Sequence, residues 1–221
     1  QVVPREIEED QNFNSNKLFS DKKMLLNDPS TLSNILFLEE DYPAHVKLPQ
    51  KDIQFYGFKT WEKAKYLDDF MRSSELNSVF GFFVSKKVKN ILDEFNIYSH
   101  RYYSVNISHQ KNEQEFYFLL IAKEGIPVNF KNSVLLDWLE ETPVQVNSFD
   151  ELLQIDENRQ DKKAYKLKEV EEEKVVFDQA VDLYSSYFSV SEIYFSERLK
   201  ERIEEEEITG IKFHLERDIE F

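Results

Sequence analysis

The sequence predicts an α+β fold, a mixed and mainly antiparallel sheet or sheets packed by amphipathic helices. Three observations carry that expectation. Apolar runs of strand length recur at Val79 to Val84, Phe116 to Ala122 and Val175 to Phe177. Two segments pass from strand to helical periodicity directly across a serine, at Ser85 and at Ser196, so two related strand-Ser-helix units are expected. Several short strands precede one helix instead of alternating with helices, which argues against βαβ units.

A chain of 221 residues with 41% hydrophobic and 14% aromatic residues can bury a core. A single domain over residues 1–221 is expected, with halves at 1–125 and 126–221. Twenty-eight basic residues against 43 acidic ones leave a formal charge of -15, which repels phosphate backbones and anionic membranes. Neither nucleic acid nor a membrane is therefore expected as a partner. The absence of cysteine removes disulfides, thiol nucleophiles and Cys-ligated metal, and suits a reducing cytosol. No apolar run reaches the roughly 18–20 residues that span a bilayer, and Gln1-Val2-Val3-Pro4-Arg5-Glu6 does not read as a signal peptide. A cytoplasmic location is the expectation.

Residues 1–35 read as an irregular polar lead-in, with an acidic run from Glu6 to Asp10 and an Asn-rich one from Asn12 to Asn16. A short helical turn is expected after Asp28-Pro29-Ser30, because proline suits the first helical position and Leu32, Ile35 and Leu36 follow on one side. Pro43 and Pro49 mark an exposed connector. From Thr60, the spacing of Trp61, Ala64, Leu67, Phe70 and Met71 predicts an amphipathic helix capped by Thr60. Val79 to Val84 predicts a buried strand. Ser85 then caps a helix whose apolar positions are Val88, Ile91, Leu92 and Phe95, with Lys86, Lys87 and Lys89 on its solvated face.

A β-hairpin is expected from Tyr102–Ile107 and Glu115–Ala122, joined by a polar loop from Ser108 to Gln114. Its second strand is apolar on both faces and so belongs in a central position. Val134 to Leu139 fits a helix or a strand, and Pro143 closes it. Residues 147–174 hold the solvent-facing segment Ser148 to Leu153 and a charged tract from Asp156 to Lys174. Strands are expected at 174–177 and 187–190, leading to Ile193-Tyr194-Phe195. Ser196 caps a helix with Leu199 and Ile203 on its inner face. Lys200 with Glu204, and Arg202 with Glu206, are spaced for i,i+4 pairs worth about 0.2–0.5 kcal/mol each. Gly210 is expected to stop the helix, with Ile211, Phe213 and Leu215 alternating as a strand.

The four glycines, at 57, 81, 125 and 210, lie too far apart for a dinucleotide fingerprint or a phosphate loop. No nucleophile elbow, zinc-protease helix or EF-hand loop occurs. His45, His100, His109 and His214 lack a second histidine at ligand spacing, so no catalytic residue, metal site or cofactor is assigned. The strongest charge features are Glu169-Val170-Glu171-Glu172-Glu173 and Glu204 to Glu207. A solvated face is their ordinary explanation. The sharper one is a negative surface that meets a basic protein, with Glu171, Glu172, Glu173, Glu204, Glu205 and Glu207 as the candidate partner-binding residues.

The stretch Ile193-Tyr194-Phe195-Ser196-Glu197-Arg198-Leu199, with Ile203 and Ile208-Thr209-Gly210-Ile211-Lys212-Phe213, resembles the C-terminal signature of an immunity-protein family found beside bacterial polymorphic toxins. Phe83-Val84-Ser85, with Val88, Ile91, Leu92 and Phe95, looks like that family's earlier strand-Ser-helix unit. The resemblance spans about residues 79–213. It implies a non-enzymatic cytosolic protein that binds one cognate toxin domain and blocks it. Ser85, Ser196 and Gly210 carry over as fold markers only. The alternatives are a small hydrolase or transferase using His100 or His109 near Tyr102 and Tyr103, and a non-enzymatic adaptor.

Overall fold

The computed structural model describes residues 2–4, 17–20, 48, 58–60, 64–73, 81–122, 126–137, 142–158, 170–185, 193–213 and 219–220. In chain order the strands of the first half are β1 (Val2–Pro4), β2 (Lys17–Ser20), β3 (Phe58–Thr60), β4 (Phe70–Ser73) and β5 (Gly81–Ser85). Helix α1 (Lys86–Leu92) follows, then the long pair β6 (His100–His109) and β7 (Asn112–Ile121). The second half holds β8 (Val134–Asp137), β9 (Pro143–Val144), α2 (Phe149–Asn158), β10 (Val170–Val176) and β11 (Leu183–Ser185). It ends with β12 (Ile193–Ser196), α3 (Glu197–Glu205) and β13 (Ile219–Glu220). The fold is α+β, with mixed and mostly antiparallel sheets.

Strands β2, β3, β6, β7, β5 and β4 close into a barrel. Side chains alternate across a strand, so each strand of the barrel has an inner and an outer set. Phe58, Met71, Phe83, Tyr103, Val105, Ile107, Phe116, Phe118 and Leu120 form one core cluster, the inward set. Phe83 pairs in register with Phe118, their rings 5.0 Å apart, and Phe58 meets Phe83 at 4.8 Å. The outward residues Phe70, Phe82, Val84, Leu119 and Ile121 join a second core with Val88, Ile91 and Leu92 of α1 and Leu199 and Ile203 of α3. Coverage on both sides explains why β5 and the second part of β7, Phe116 to Ile121, are apolar at nearly every position. Strand β7 lies between β5 and β6, the central place its composition predicts.

The remaining strands form a three-stranded sheet, β1-β12-β11, and a four-stranded one, β13-β10-β8-β9. Pro4 sits on β1 at the sheet edge, where a missing N–H is tolerated. Tyr184 and Tyr194 stack at 5.0 Å within a third core that includes Val175 and Phe177. Helix α2 begins at a serine: the Ser148 hydroxyl accepts from the Glu151 N–H at 3.1 Å. The Glu151 carboxylate accepts from the Asn147 N–H at 2.8 Å, a reciprocal cap that seats the buried Leu152 against Leu135 and Val146.

Four sequence expectations are corrected here. The lead-in at residues 1–35 is not irregular throughout, because β1 and β2 lie within it and pair with β12 and β3. The helix expected from Thr60 is absent: Thr60 ends a strand, residues 64–69 are not helical, and Phe70 opens β4. Phe70 and Met71 are both buried because they face opposite sides of the barrel wall, a pattern that adjacent apolar residues cannot distinguish from a helix. The hairpin loop shrinks to Gln110 and Lys111, both at positive φ (48° and 70°), and the polar residues on either side continue the strands. Gln110 Nε2 donates to the Ala64 and Lys65 carbonyls at 3.2 Å and ties the turn down.

The fourth correction concerns the end of α3. Glu207, not Gly210, is the left-handed residue that stops the helix, with φ 52° just after the C-cap Glu206. Its N–H bonds the Glu204 carbonyl at 3.0 Å and that of Ile208 bonds the Ile203 carbonyl at 3.2 Å, the paired bonds of a Schellman motif. Gly210 has φ 84° and serves close packing: a Cβ there would overlap the Phe70 carbonyl and come within 2.8 Å of Asp68 Cβ. Ile211 to Phe213 form no strand. The turn expected after Asp28, the connector at Pro43 and Pro49, and the strand at 187–190 lie outside the described residues.

Candidate partner-binding surface

Helix α3 is positioned by what precedes it. Strand β12 delivers Ser196 in extended conformation (φ -67°, ψ 155°), and its hydroxyl accepts from the Leu199 N–H at 3.3 Å. This cap starts the helix and turns Leu199 and Ile203 inward, where both are buried. The opposite face is acidic, with Glu201, Glu204, Glu205 and Glu207 exposed.

The cations of α3 are already engaged. Lys200 Nζ lies 3.1 Å from Glu197 and 4.0 Å from Glu204. Arg202 pairs with Glu206 and reaches Glu94 at 3.9 Å, while Lys87 of α1 reaches Glu206 at 3.4 Å. Bonding from Arg202 and then Lys87 holds the Glu206 carboxyl below its ordinary range, and the Glu197 bond holds the Lys200 ammonium above its own. Among the described residues, Glu205 and Glu207 have no such cation beside them. The surface is therefore net negative at neutral pH.

The second acidic run lies elsewhere. Glu171 and Glu172 pair through their backbones with Leu136 and Leu135 of β8, and the register shifts between Glu172 and Lys174. That bulge makes Glu173 the extra residue, so it is exposed although the strand continues into the buried Val175 and Phe177. Strand β10 is flanked by β13 and β8, whereas α3 packs on α1, β12 and β1. Two of the candidate acids, Glu204 and Glu205, share one helix with Glu207 at its end, and Glu171 to Glu173 share one strand. No single element unites the two groups.

The histidine candidates are not assembled. His100 and His109 stand at opposite ends of β6, and Tyr102 and Tyr103 point to opposite faces of it. His109 is buried with its Nδ1 2.9 Å from the Thr60 hydroxyl. His100 Nδ1 lies 3.0 Å from the Ile97 carbonyl, and burial lowers its pKa against the opposing pull of that carbonyl and Asp93. Burial, then Asp93, raises the Tyr102 phenol, and Lys89 sits 4.8 Å over its ring. His45 and His214 lie outside the described residues. Among those residues no group of three His, Asp or Glu has the geometry of a metal site, and no helix is long and apolar enough to cross a membrane.

Sequence reasoning missed Asp182, whose carboxylate accepts from four donors among the described residues. Its side chain is 2% exposed and accepts from the Ser196 hydroxyl at 2.6 Å, from Arg198 Nε at 2.6 Å and Nη2, and from the Asn96 N–H at 2.9 Å. Burial alone raises such a carboxyl, but bonds from Arg198, Ser196 and Asn96 outweigh it and hold the group below its ordinary range. The Arg198 guanidinium also lies 5.4 Å over the Phe95 ring. The available signal was an aspartate directly before an apolar strand, which occurs at Asp69-Phe70 and again at Asp182-Leu183. A comparison with known proteins finds neither a family model nor a curated protein that matches the chain.

Proposed function

We propose that this chain is a non-catalytic cytoplasmic immunity protein, built on two related strand-Ser-helix units, that binds a cognate bacterial toxin domain with a basic surface and blocks it. The observation that carries the proposal is α3. The segment that resembles the immunity-family signature spends its serine, leucine and isoleucine on a cap and a packed inner face, leaving Glu201, Glu204, Glu205 and Glu207 outward. A rigid helix presents these charges with little ordering entropy on binding, and a net charge of -15 steers a basic partner toward it.

The test is co-expression with the toxin encoded beside this gene, followed by association kinetics with the purified toxin domain. The expected result is protection of the cells and a salt-dependent complex. Charge reversal at Glu204 and Glu205 is expected to slow association by about tenfold and flatten its salt dependence. The same change at Glu171 and Glu172 asks whether the β10 surface takes part. Failure to bind and to protect removes the proposal; binding that ignores the α3 substitutions moves the interface elsewhere.

A further inference from the structure

The surroundings of Asp69 and of Asp182 share four equivalent hydrogen bonds. Each aspartate precedes a strand whose register with its partner is the same: Phe70 opposite Val84 and Met71 opposite Phe83 in one, Leu183 opposite Phe195 and Tyr184 opposite Tyr194 in the other. The Asp69 carbonyl accepts from the Ser85 N–H at 2.9 Å, and that of Asp182 from the Ser196 N–H at 2.8 Å. The Ser85 hydroxyl donates to Asp69 Oδ1 at 2.7 Å, and the Ser196 hydroxyl to Asp182 Oδ1 at 2.6 Å. Each hydroxyl also caps its own helix, accepting from Val88 N–H at 3.2 Å and Leu199 N–H at 3.3 Å.

The second oxygen of each carboxylate reaches across the molecule. Asp69 Oδ2 accepts from the Thr209 N–H at 3.1 Å, in the chain leaving α3. Asp182 Oδ2 accepts from the Asn96 N–H at 2.9 Å, in the chain leaving α1. Thr209 and Asn96 stand at the same distance beyond their helix C-caps, Glu206 and Asp93. The remaining acceptor capacity is met differently, by the Thr209 hydroxyl at 3.1 Å on Asp69 and by Arg198 on Asp182.

We infer that β4–β5–α1 and β11–β12–α3 are two copies of one unit, and that each copy's aspartate clasps the chain leaving the other copy's helix. The crossed clasps lock α1 against α3, so that neither half completes its own helix layer alone. This goes beyond the partner-binding reading and holds whether or not that reading does.

The test is residue-resolved amide hydrogen exchange on the full chain. Asp69→Asn is expected to speed exchange of the Thr209 amide by about tenfold, and Asp182→Asn that of the Asn96 amide by a similar factor, each effect appearing in the opposite half. Thr209→Val is the milder variant that keeps both carboxylates. It removes the hydroxyl that accepts from the Asp69 N–H at 3.0 Å and is expected to speed exchange there. The paired interchange Asn96→Thr with Thr209→Asn tests equivalence, and is expected to fold with a midpoint far closer to the parent than that of Asp182→Asn. Exchange changes confined to the mutated half overturn the clasp, and an interchange as damaging as Asp182→Asn overturns the duplication.

Discussion

At the scale of single residues, Asp182 shows how a buried charge becomes tolerable: four donors surround one carboxylate that is 2% exposed. Removing its charge while keeping its shape leaves Arg198 without its partner, and Asp182→Asn is expected to lower stability by about 2–3 kcal/mol in denaturant titration at pH 7. The pH dependence follows from the direction of its shift. The folded carboxyl ionises below its unfolded value of about 3.9, so its contribution is full above that value and is lost as the pH falls through the folded one. The parent should therefore lose its advantage over Asp182→Asn below about pH 4, and a constant difference down to pH 2 would contradict the assignment. Glu207 is the converse case, an L-residue held at φ 52° where glycine is free of the Cβ penalty. Glu207→Gly is expected to raise stability by about 0.5–1 kcal/mol, read as a higher unfolding midpoint.

At the scale of elements, legibility followed local chemistry. Helices α1 and α3 were readable because Ser85 and Ser196 cap them and their apolar residues recur at helical spacing. The β6–β7 strands were readable in their centres but not at their tips, since Gln110 and Lys111 lack the usual turn residues and the flanking positions are polar. Strand β4 was hidden because Phe70 and Met71 answer to two different cores, information that lives in the tertiary contacts alone. The candidate acids were legible as runs, and Glu204 and Glu205 as part of the Ser196-capped helix, while the placement of Glu171 to Glu173 on a bulged strand was not. Gly210 was expected to stop the helix, a role that falls to Glu207. The role of Gly210 is to let the chain after α3 lie against the β4 backbone, where the Phe70 N–H bonds the Thr209 carbonyl at 3.0 Å. Gly210→Val meets both a left-handed φ and a backbone carbonyl, so a loss of about 3 kcal/mol or more is expected in thermal or denaturant unfolding. An unchanged midpoint would mean that this contact does not hold the segment.

At the scale of the whole molecule, the charge balance sets two effects against each other. The ion pairs that link α1 and α3, Lys87 with Glu206 and Arg202 with Glu94, lie at least partly in solvent, where such a pair is worth about 0–1 kcal/mol and weakens with salt. Self-repulsion from a net charge of -15 acts in the opposite direction, because salt relieves it. The repulsion is summed over the whole surface and the attraction over a few pairs, so the repulsion should dominate. Asp182 does not share in the screening, being enclosed by its own donors. Raising sodium chloride from about 20 to about 300 mM, a range in which the Debye length falls from roughly 20 to 6 Å, should therefore raise the unfolding midpoint. The same titration on the Glu204→Lys, Glu205→Lys variant should give a smaller rise, since the net charge is closer to zero. A midpoint that falls with salt in the parent would place the surface ion pairs, rather than the excess of acid, in control of its stability.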